Sequence, residues 1–585
     1  MLKWFCLKKP SRKATSQSSN IPSSIVSDLE KLNLTEERLK RYADETNIPT
    51  SDTTFTIDMA KDSLRDKAIS LREKSVSEAL NNIKRSMEVD FCFVLDCTEL
   101  MTYHIVAAKD CILQVSNYIK TTNPGIGFRV GFCGYRDHDY GPHHIQIFNF
   151  TNSYEDFRNY LADDVSAIYS SSNRDIAEDV LGGLNAAITQ MNWKNSTRVL
   201  FHICDYPPHG RRFTDLQDNY PDGDPNGLTA ESVLEKMQSE NILYFFGKVT
   251  GHTERMLEVF RSIIGEFPVF DLVGGDPIEL INKFFKAASS SITMAVSITS
   301  TLGTSSKDIY SLKKKKLEMN PNEPDWNLLS LQEGVVLWYR FPRTMDELKN
   351  PNFFEKSNLF STSYTFKIAS NPFSAGVERY AYFALNTKCN PAKKMVIKEY
   401  LNVGRRNPFE KYLEAVEVST VAFILSAKFN SIAKRKTFKL MNLFGGFGGR
   451  DIIQKVNFLD VFLLRTSTIE FGTQYYTIEP KLENAEFKRF NTNTGVITKF
   501  RPTLEAFAHF TYEYTGGYLV VYDLQGIEIG DQFLLTDPAI HCTDSLRFGR
   551  TNFGKRGIEQ CFLANHKCND ICKKLELSHI STKYF

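Results

Sequence analysis

Four residues near the C-terminal end have the types and spacing to hold a metal. The segment "NHKCNDIC" (Asn565 to Cys572) reads H-x-C-x-x-x-C and offers His566, Cys568 and Cys572. On a helix, Cys568 and Cys572 would lie one turn apart on the same face. Three such ligands leave a tetrahedral zinc one short, and His509 in "FAHFTYEYTGG" is the candidate for the fourth. A histidine alone is more often a packed or surface residue; its partners in the H-x-C-x-x-x-C run make it a ligand here. A closed N/S site of this kind contributes to folding and not to reaction chemistry. Between His509 and His566 lie "DLQG" (Asp523 to Gly526) and "TDP" (Thr536 to Pro538). Their carboxylates and amide are oxygen groups of the kind that hold magnesium and polarise a hydroxyl. An aspartate in such a turn otherwise serves as a local backbone cap.

The motifs around these residues occur in a specific order: "PFSAGVERYAY", "VIKEY", "FLDVFLL", "IEPKLENAEFKRFN", the two carboxylate turns, "FGRTNFG" and the Cys/His run. From Asn327 to Leu577 this order resembles the alpha-kinases, atypical serine/threonine protein kinases. The HRD and DFG signatures of ordinary protein kinases are absent from the sequence. The resemblance implies a two-lobed α+β kinase domain that uses ATP and Mg²⁺, carries a structural Zn²⁺ and phosphorylates protein Thr or Ser.

Site roles follow from the same resemblance. Lys398, on an alternating apolar strand where a lysine could otherwise simply snorkel, corresponds to the phosphate-binding lysine. Arg379 lies beside the phosphate-covering loop, and Glu479 lies at the hinge that contacts adenine through its backbone. Asp523 orients the substrate hydroxyl, while Gln525 and Asp537 hold magnesium. Asn552 and Gly554 lie in a loop assigned to substrate or nucleotide contacts. Ala485 stands where the family has a glycine after the hinge, which changes local backbone freedom.

At 585 residues the chain exceeds one ordinary core. Residues 1–24 read as a disordered tail and 25–87 as a helical lead-in. Residues 88–290 form one domain, 291–326 a linker and 327–585 the kinase domain. Within 88–290, apolar strands such as "VDFCFVLD" and "RVLFHICD" alternate with helical segments, the pattern of a doubly wound α/β sheet. Ligands of such sheets bind at the carboxyl ends of the strands. The pattern resembles a von Willebrand factor type A domain, whose cation loops map to Asp96 and Thr98, to Asp175 and to Asp205. Leu100 stands where that motif has Ser, so one hydroxyl oxygen is missing and the cation site is weakened. A metal-free surface that docks substrates or partners is the other reading.

Two lookalikes are set aside. "DGDPNG" (Asp222 to Gly227) opens like a calcium-binding loop, but Val233 occupies the position of its closing Glu, so a structural turn is expected. "GGFGG" (Gly445 to Gly449) matches no phosphate-loop spacing and reads as a flexible insertion. A formal net charge of +2 gives no bulk attraction to nucleic acid. No apolar run long enough for a transmembrane segment is expected. Eleven scattered cysteines, an odd count, suit a reducing compartment, and the cytoplasm is expected. The rival function is a non-catalytic scaffold in which both domains bind and neither reacts.

Overall fold

The computed structural model describes residues 57–98, 101–165, 176–215, 217–302, 318–376, 379–400, 408–443, 453–468 and 472–580. The expected tail, Leu100, Asp175 and the "GGFGG" insertion lie outside the described residues. The chain divides into two compact units: Ala79–Lys315 with Val496–Thr498, and Met1–Glu78 with Lys316–Gly495 and Lys499–Phe585.

The first unit is built on a six-stranded sheet. Its strands are β1 (Glu88–Asp96), β2 (Gly127–Tyr135), β3 (Ile145–Thr151), β4 (Thr197–Cys204), β5 (Ile242–Lys248) and β6 (Val269–Asp271), in the spatial order 3-2-1-4-5-6. All neighbours are parallel except β3, which runs antiparallel to β2. Both faces are covered, which is why β1 reads as a continuous apolar run. Phe91, Phe93 and Leu95 pack into one core with Ile112 and Phe284, whereas Cys92 and Val94 pack on the other face with Leu184 and Leu234. The edge strand β3 had no counterpart among the expected strands. The stretch taken as a linker begins inside a helix, Pro277–Leu302, because Ile292, Ala295 and Val296 are buried in the core.

The second unit contains a sheet that closes on itself. Its strands are β7 (Gln332–Tyr339), β8 (Leu359–Ile368), β9 (Ser374–Ala375), β10 (Arg379–Asn386), β11 (Lys393–Tyr400), β13 (Phe462–Thr468) and β14 (Gly472–Pro480), with β12 (Lys455–Phe458) belonging elsewhere. The ladder runs β11-β14-β13-β7-β8-β10, and β10 pairs again with β11. A second sheet joins β12 to β15 (Lys488–Arg489), β17 (Gln525–Ile529) and β18 (Gln532–Thr536); β16 (Leu519–Tyr522) pairs with β19 (Ala539–Cys542).

The helix Pro408–Leu443 lines the core of this unit through Leu413, Val416, Leu425 and Phe429, which pack with Phe507 and Phe510. Its portion Phe409–Thr437 is long and apolar enough to cross a bilayer by length and composition, contrary to the sequence expectation. More than half of that window is buried inside the protein, as in the core helix of a globular domain.

Candidate active site

Strand register explains why three of the expected residues meet. Lys398 pairs with Ala381 on β10 and with Thr477 on β14, while Arg379 pairs with Tyr400 and Glu479 with Val396. Side chains alternate along a strand, so Arg379, Lys398 and Glu479 fall on one face, the last two as diagonal neighbours. Lys398 Nζ lies 2.7 Å from Glu479 Oε1. The hairpin β17–β18 supplies the rest. Its turn at Gly530 (φ +56°) sets Gln525 opposite Thr536, so "DLQG" and "TDP" come to the same end of one ladder.

Asp537 bridges the two sheets. One carboxylate oxygen is 2.7 Å from Lys398 Nζ and the other 2.7 Å from Arg379 Nη2. Burial alone would raise its carboxyl, but the two cations win and hold it well below the usual carboxylate range. Glu479 shows the opposite balance: burial pushes it above its ordinary value despite Lys398. Gln525 Nε2 donates to the Asp537 carbonyl at 3.1 Å. Asp523 and Asp537 both have left-handed backbones, φ +55° and +48°, unusual for non-glycine residues and frequent at functional sites.

The structure also shows partners that the sequence did not reveal. Arg489 grips Asp523 with two bonds, Nε to Oδ1 at 2.7 Å and Nη2 to Oδ2 at 2.8 Å. Thr536 Oγ1 donates to Glu479 at 2.9 Å. Arg489 lies inside the quoted "EFKRFN" motif, so its cationic character was visible while its partner was not. Glu479 was expected to act through its backbone; its side chain is in addition an ion partner of Lys398.

Gly526 fixes the hairpin. Its φ is +149°, and a Cβ there would lie 2.1 Å from the Leu534 carbonyl oxygen. Gly526→Ala is therefore expected to cost about 2 kcal/mol or more of stability and to displace Gln525. Denaturant unfolding monitored with kinase activity checks both effects.

Asn552 is not presented to a ligand. Its Nδ2 donates to the Asp544 and Arg547 carbonyls at 2.8 and 2.7 Å, and its Oδ1 accepts from Cys542 N and Gly554 N, both at 2.8 Å. The buried side chain thus pins its own loop, and Gly554 (φ +66°) begins the short helix Gly554–Gly557. Arg72 adds bonds from the Ile57–Ser86 helix to the Gly549 and Arg550 carbonyls at 3.0 and 3.1 Å.

His541 braces the same loop. Its Nδ1 accepts from Phe553 N at 3.1 Å, so Nε2 carries the proton toward the Asn493 carbonyl, 2.6 Å away. Burial drives its pKa down to about 4, with the Asn493 carbonyl opposing and Arg72 reinforcing. A histidine lowered in the folded state stabilises above its unfolded value near 6.5 and loses that contribution as pH falls toward 4. The contribution is on the order of 3 kcal/mol. His541→Asn should flatten the acid side of the melting-temperature profile between those pH values.

The four expected zinc ligands converge in the same unit. The ligand atoms of His509, His566, Cys568 and Cys572 all lie within 4.8 Å of one another. Cys568 Sγ is 3.8 Å from His509 Nδ1, and Cys572 Sγ is 3.7 Å from His566 Nε2. The edge of a zinc tetrahedron between S and N is roughly 3.6 Å, so the set fits the ion. Glu513 lies 3.6 Å from the other nitrogen of His509, where an orienting carboxylate is expected. Burial keeps His566 neutral, pushed down to about 3, and pushes the Cys572 thiol up to about 12. The run is not helical at Cys568, so the condition for a one-turn spacing of the two cysteines is not met. The helix Asp570–Lys574 starts later because Asn569 caps it, accepting from Ile571 N and Cys572 N.

In the first unit, Asp96 ends β1 and Asp205 follows β4. Asp96 Oδ1 accepts from Thr98 N at 2.9 Å and from Thr98 Oγ1 at 2.7 Å. Burial and the nearby Asp96 raise Asp205 to about 8. These two carboxylates meet as expected, whereas Asp175 lies outside the described residues. Asp224 makes the structural turn, accepting from Asn226 N at 2.8 Å and Leu228 N at 3.1 Å.

The alpha-kinase family profile matches residues 374–572, which span this site. "Alpha-protein kinase vwkA" of Dictyostelium discoideum is 30% identical over 547 residues, covering 90% of this chain and 82% of the relative. The chain belongs to the alpha-kinase family. Another relative, "Myosin heavy chain kinase B" of the same organism, is 26% identical, covering 61% of this chain and 42% of its own length. A solved alpha-kinase structure from Entamoeba histolytica aligns over 45% of this chain and 96% of its own, with 25% identity and a TM-score of 0.36. These alpha-kinase relatives carry protein-kinase names, and protein phosphorylation is the activity the family membership supports.

Proposed function

We propose that this alpha-kinase transfers the γ-phosphate of ATP to Thr or Ser side chains of proteins, and that its six-stranded unit is a von Willebrand A-like domain that recruits substrates or partners. The observation that carries the reading is the Asp537 carboxylate bridging Lys398 and Arg379 between two sheets. Phosphoryl transfer needs cations for the phosphates, metal ligands and a carboxylate facing the hydroxyl. Lys398 and Arg379 offer the cations. The Asp537 carboxylate and the Gln525 amide oxygen form a hard-donor set suited to magnesium, which when bound neutralises phosphate charge. Asp523, kept oriented by Arg489, accepts the hydroxyl proton or orders it. Glu479 holds the Lys398 ammonium in place, and its backbone is the proposed adenine contact.

Zinc pins the His509 helix to the terminal segment and takes no part in transfer. In the A-like domain, Asp96, Thr98 and Asp205 would hold a divalent cation weakly, supported by the proximity of two buried carboxylates. The proposed location is the cytoplasm, resting on the odd, scattered set of eleven cysteines in the sequence.

Purified full-length protein should incorporate labelled phosphate into itself or a generic basic protein, and Lys398→Ala should not. If wild type and variant are equally silent with ATP and magnesium, the scaffold reading replaces this one.

A further inference from the structure

A group of histidines and carboxylates in the first unit has no role in phosphoryl transfer and shares no residue with the set proposed for the A-like cation site. It is assembled from loops that follow β2 and precede the helix Val180–Gln190, with a third contribution from the Asp224 turn. Asp179 caps the helix through Oδ1, which accepts from Gly182 N at 2.8 Å. Its other oxygen, Oδ2, lies 2.6 Å from His144 Nε2 and 3.7 Å from His138 Nδ1. The three ligand atoms all fall within 4.8 Å of one another. Asp179 is almost wholly buried, with 1% of its side chain exposed, while His138 keeps 10% and His144 24%. The group is thus rooted in the protein and open on one side.

A second observation points to a ligand. His138 Nε2 is buried without a hydrogen-bond partner, and so is Asp224 Oδ2, 3.5 Å away. A histidine that bound metal through Nδ1 would need a carboxylate near Nε2 to fix its tautomer, and Asp224 stands there. His209 buttresses the group and does not ligate. Its nitrogens are engaged by Asp137 at 2.9 Å and Asp218 at 2.8 Å, and its ring stacks on His138 with centroids 5.4 Å apart.

We propose that His138, His144 and Asp179 bind one divalent transition-metal ion of the zinc class. Two imidazoles and a carboxylate form a borderline donor set that favours such an ion over magnesium or calcium, which take oxygen. Ligation places the ion between Asp179 Oδ2 and His144 Nε2, widens that pair to roughly 3.3 Å, and leaves the His144 proton on Nδ1. Three protein ligands leave a fourth position to water or to a donor from a docked protein.

Cobalt(II) titration of the full chain, carrying its zinc as purified and in excess magnesium, tests the site. Cobalt in a nitrogen and oxygen set gives visible d–d bands without sulfur-to-cobalt charge transfer, which separates it from any cobalt held by Cys568 and Cys572. The expected result is one equivalent with the sulfur-free spectrum. His144→Gln and Asp179→Asn should each weaken it at least tenfold, and Asn retains the cap on Gly182. Exposed His252→Gln should leave it unchanged. The proposal is overturned if wild type shows no sulfur-free equivalent, or if both variants, folded by circular dichroism, bind cobalt as wild type does.

Discussion

Asp537→Ala is expected to fold and to lose roughly a thousandfold or more of phosphoryl-transfer rate. The side chain is partly exposed and fills no apolar core, so its removal leaves no large cavity. It does remove a carboxylate that contacts both Lys398 and Arg379. Lys398 keeps Glu479 at 2.7 Å, which limits the cost to the fold. Asp537→Asn preserves shape but loses charge, and it should be nearly as inactive if the carboxylate is a metal ligand. Because the two cations hold Asp537 ionised far into acid, its own titration should not limit activity near neutral pH. Initial rates with a generic basic substrate, paired with melting curves, check the prediction. A folded Asp537→Ala protein with near-normal rates would remove this residue from the mechanism.

Cys572→Ser should act on folding. Elemental analysis of wild type is expected to show one tightly held zinc at His509, His566, Cys568 and Cys572. A serine hydroxyl is a far poorer zinc ligand than a thiolate, and the binding energy of a structural zinc is folding energy. The variant should therefore lose zinc, melt at lower temperature and give less soluble protein. Glu513→Gln, which keeps the ligands and alters only the partner of His509, should have a smaller effect in the same direction. Wild-type protein prepared without chelator and free of zinc would refute the assignment.

Much of the kinase half was legible because its residues carry chemistry at close spacing. "DLQG" and "TDP" sit at the two ends of one hairpin, and a short turn makes their meeting a local matter. Lys398 and Glu479 also meet, but 81 positions apart in sequence, and only strand register brings them together. Register cannot be read from composition, so the side-chain pairing of Glu479 with Lys398 and with Thr536 went unnoticed. The i,i+4 spacing of Cys568 and Cys572 would put both on one turn only if the run were helical, yet Asn569 is a strong N-cap and starts the helix after Cys568. Asn552 was misjudged for a related reason: a conspicuous loop asparagine can bond backbone as readily as a ligand. His138, His144 and Asp179 come from separate loops without motif spacing, and nothing short of the fold could gather them. In the first unit, the parallel strands were visible as apolar runs, whereas β3 was missed because an antiparallel edge strand is only half-buried.

The ladder of the second unit that runs from β11 round to β10 and back to β11 limits how a substrate can be held. An extended peptide can attach to a protein by adding itself as one more strand, provided an unpaired edge is available. In this ring the six long strands each have a neighbour on both sides, and among the described residues the two-residue β9 is the only appended piece. Backbone-to-backbone capture therefore has almost no purchase here. A polypeptide lying on this ring must be recognised through its side chains, whereas the four-stranded sheet that carries Gln525 keeps open edges at β12 and β15. The same closure leaves this one sheet little template for strand-mediated aggregation.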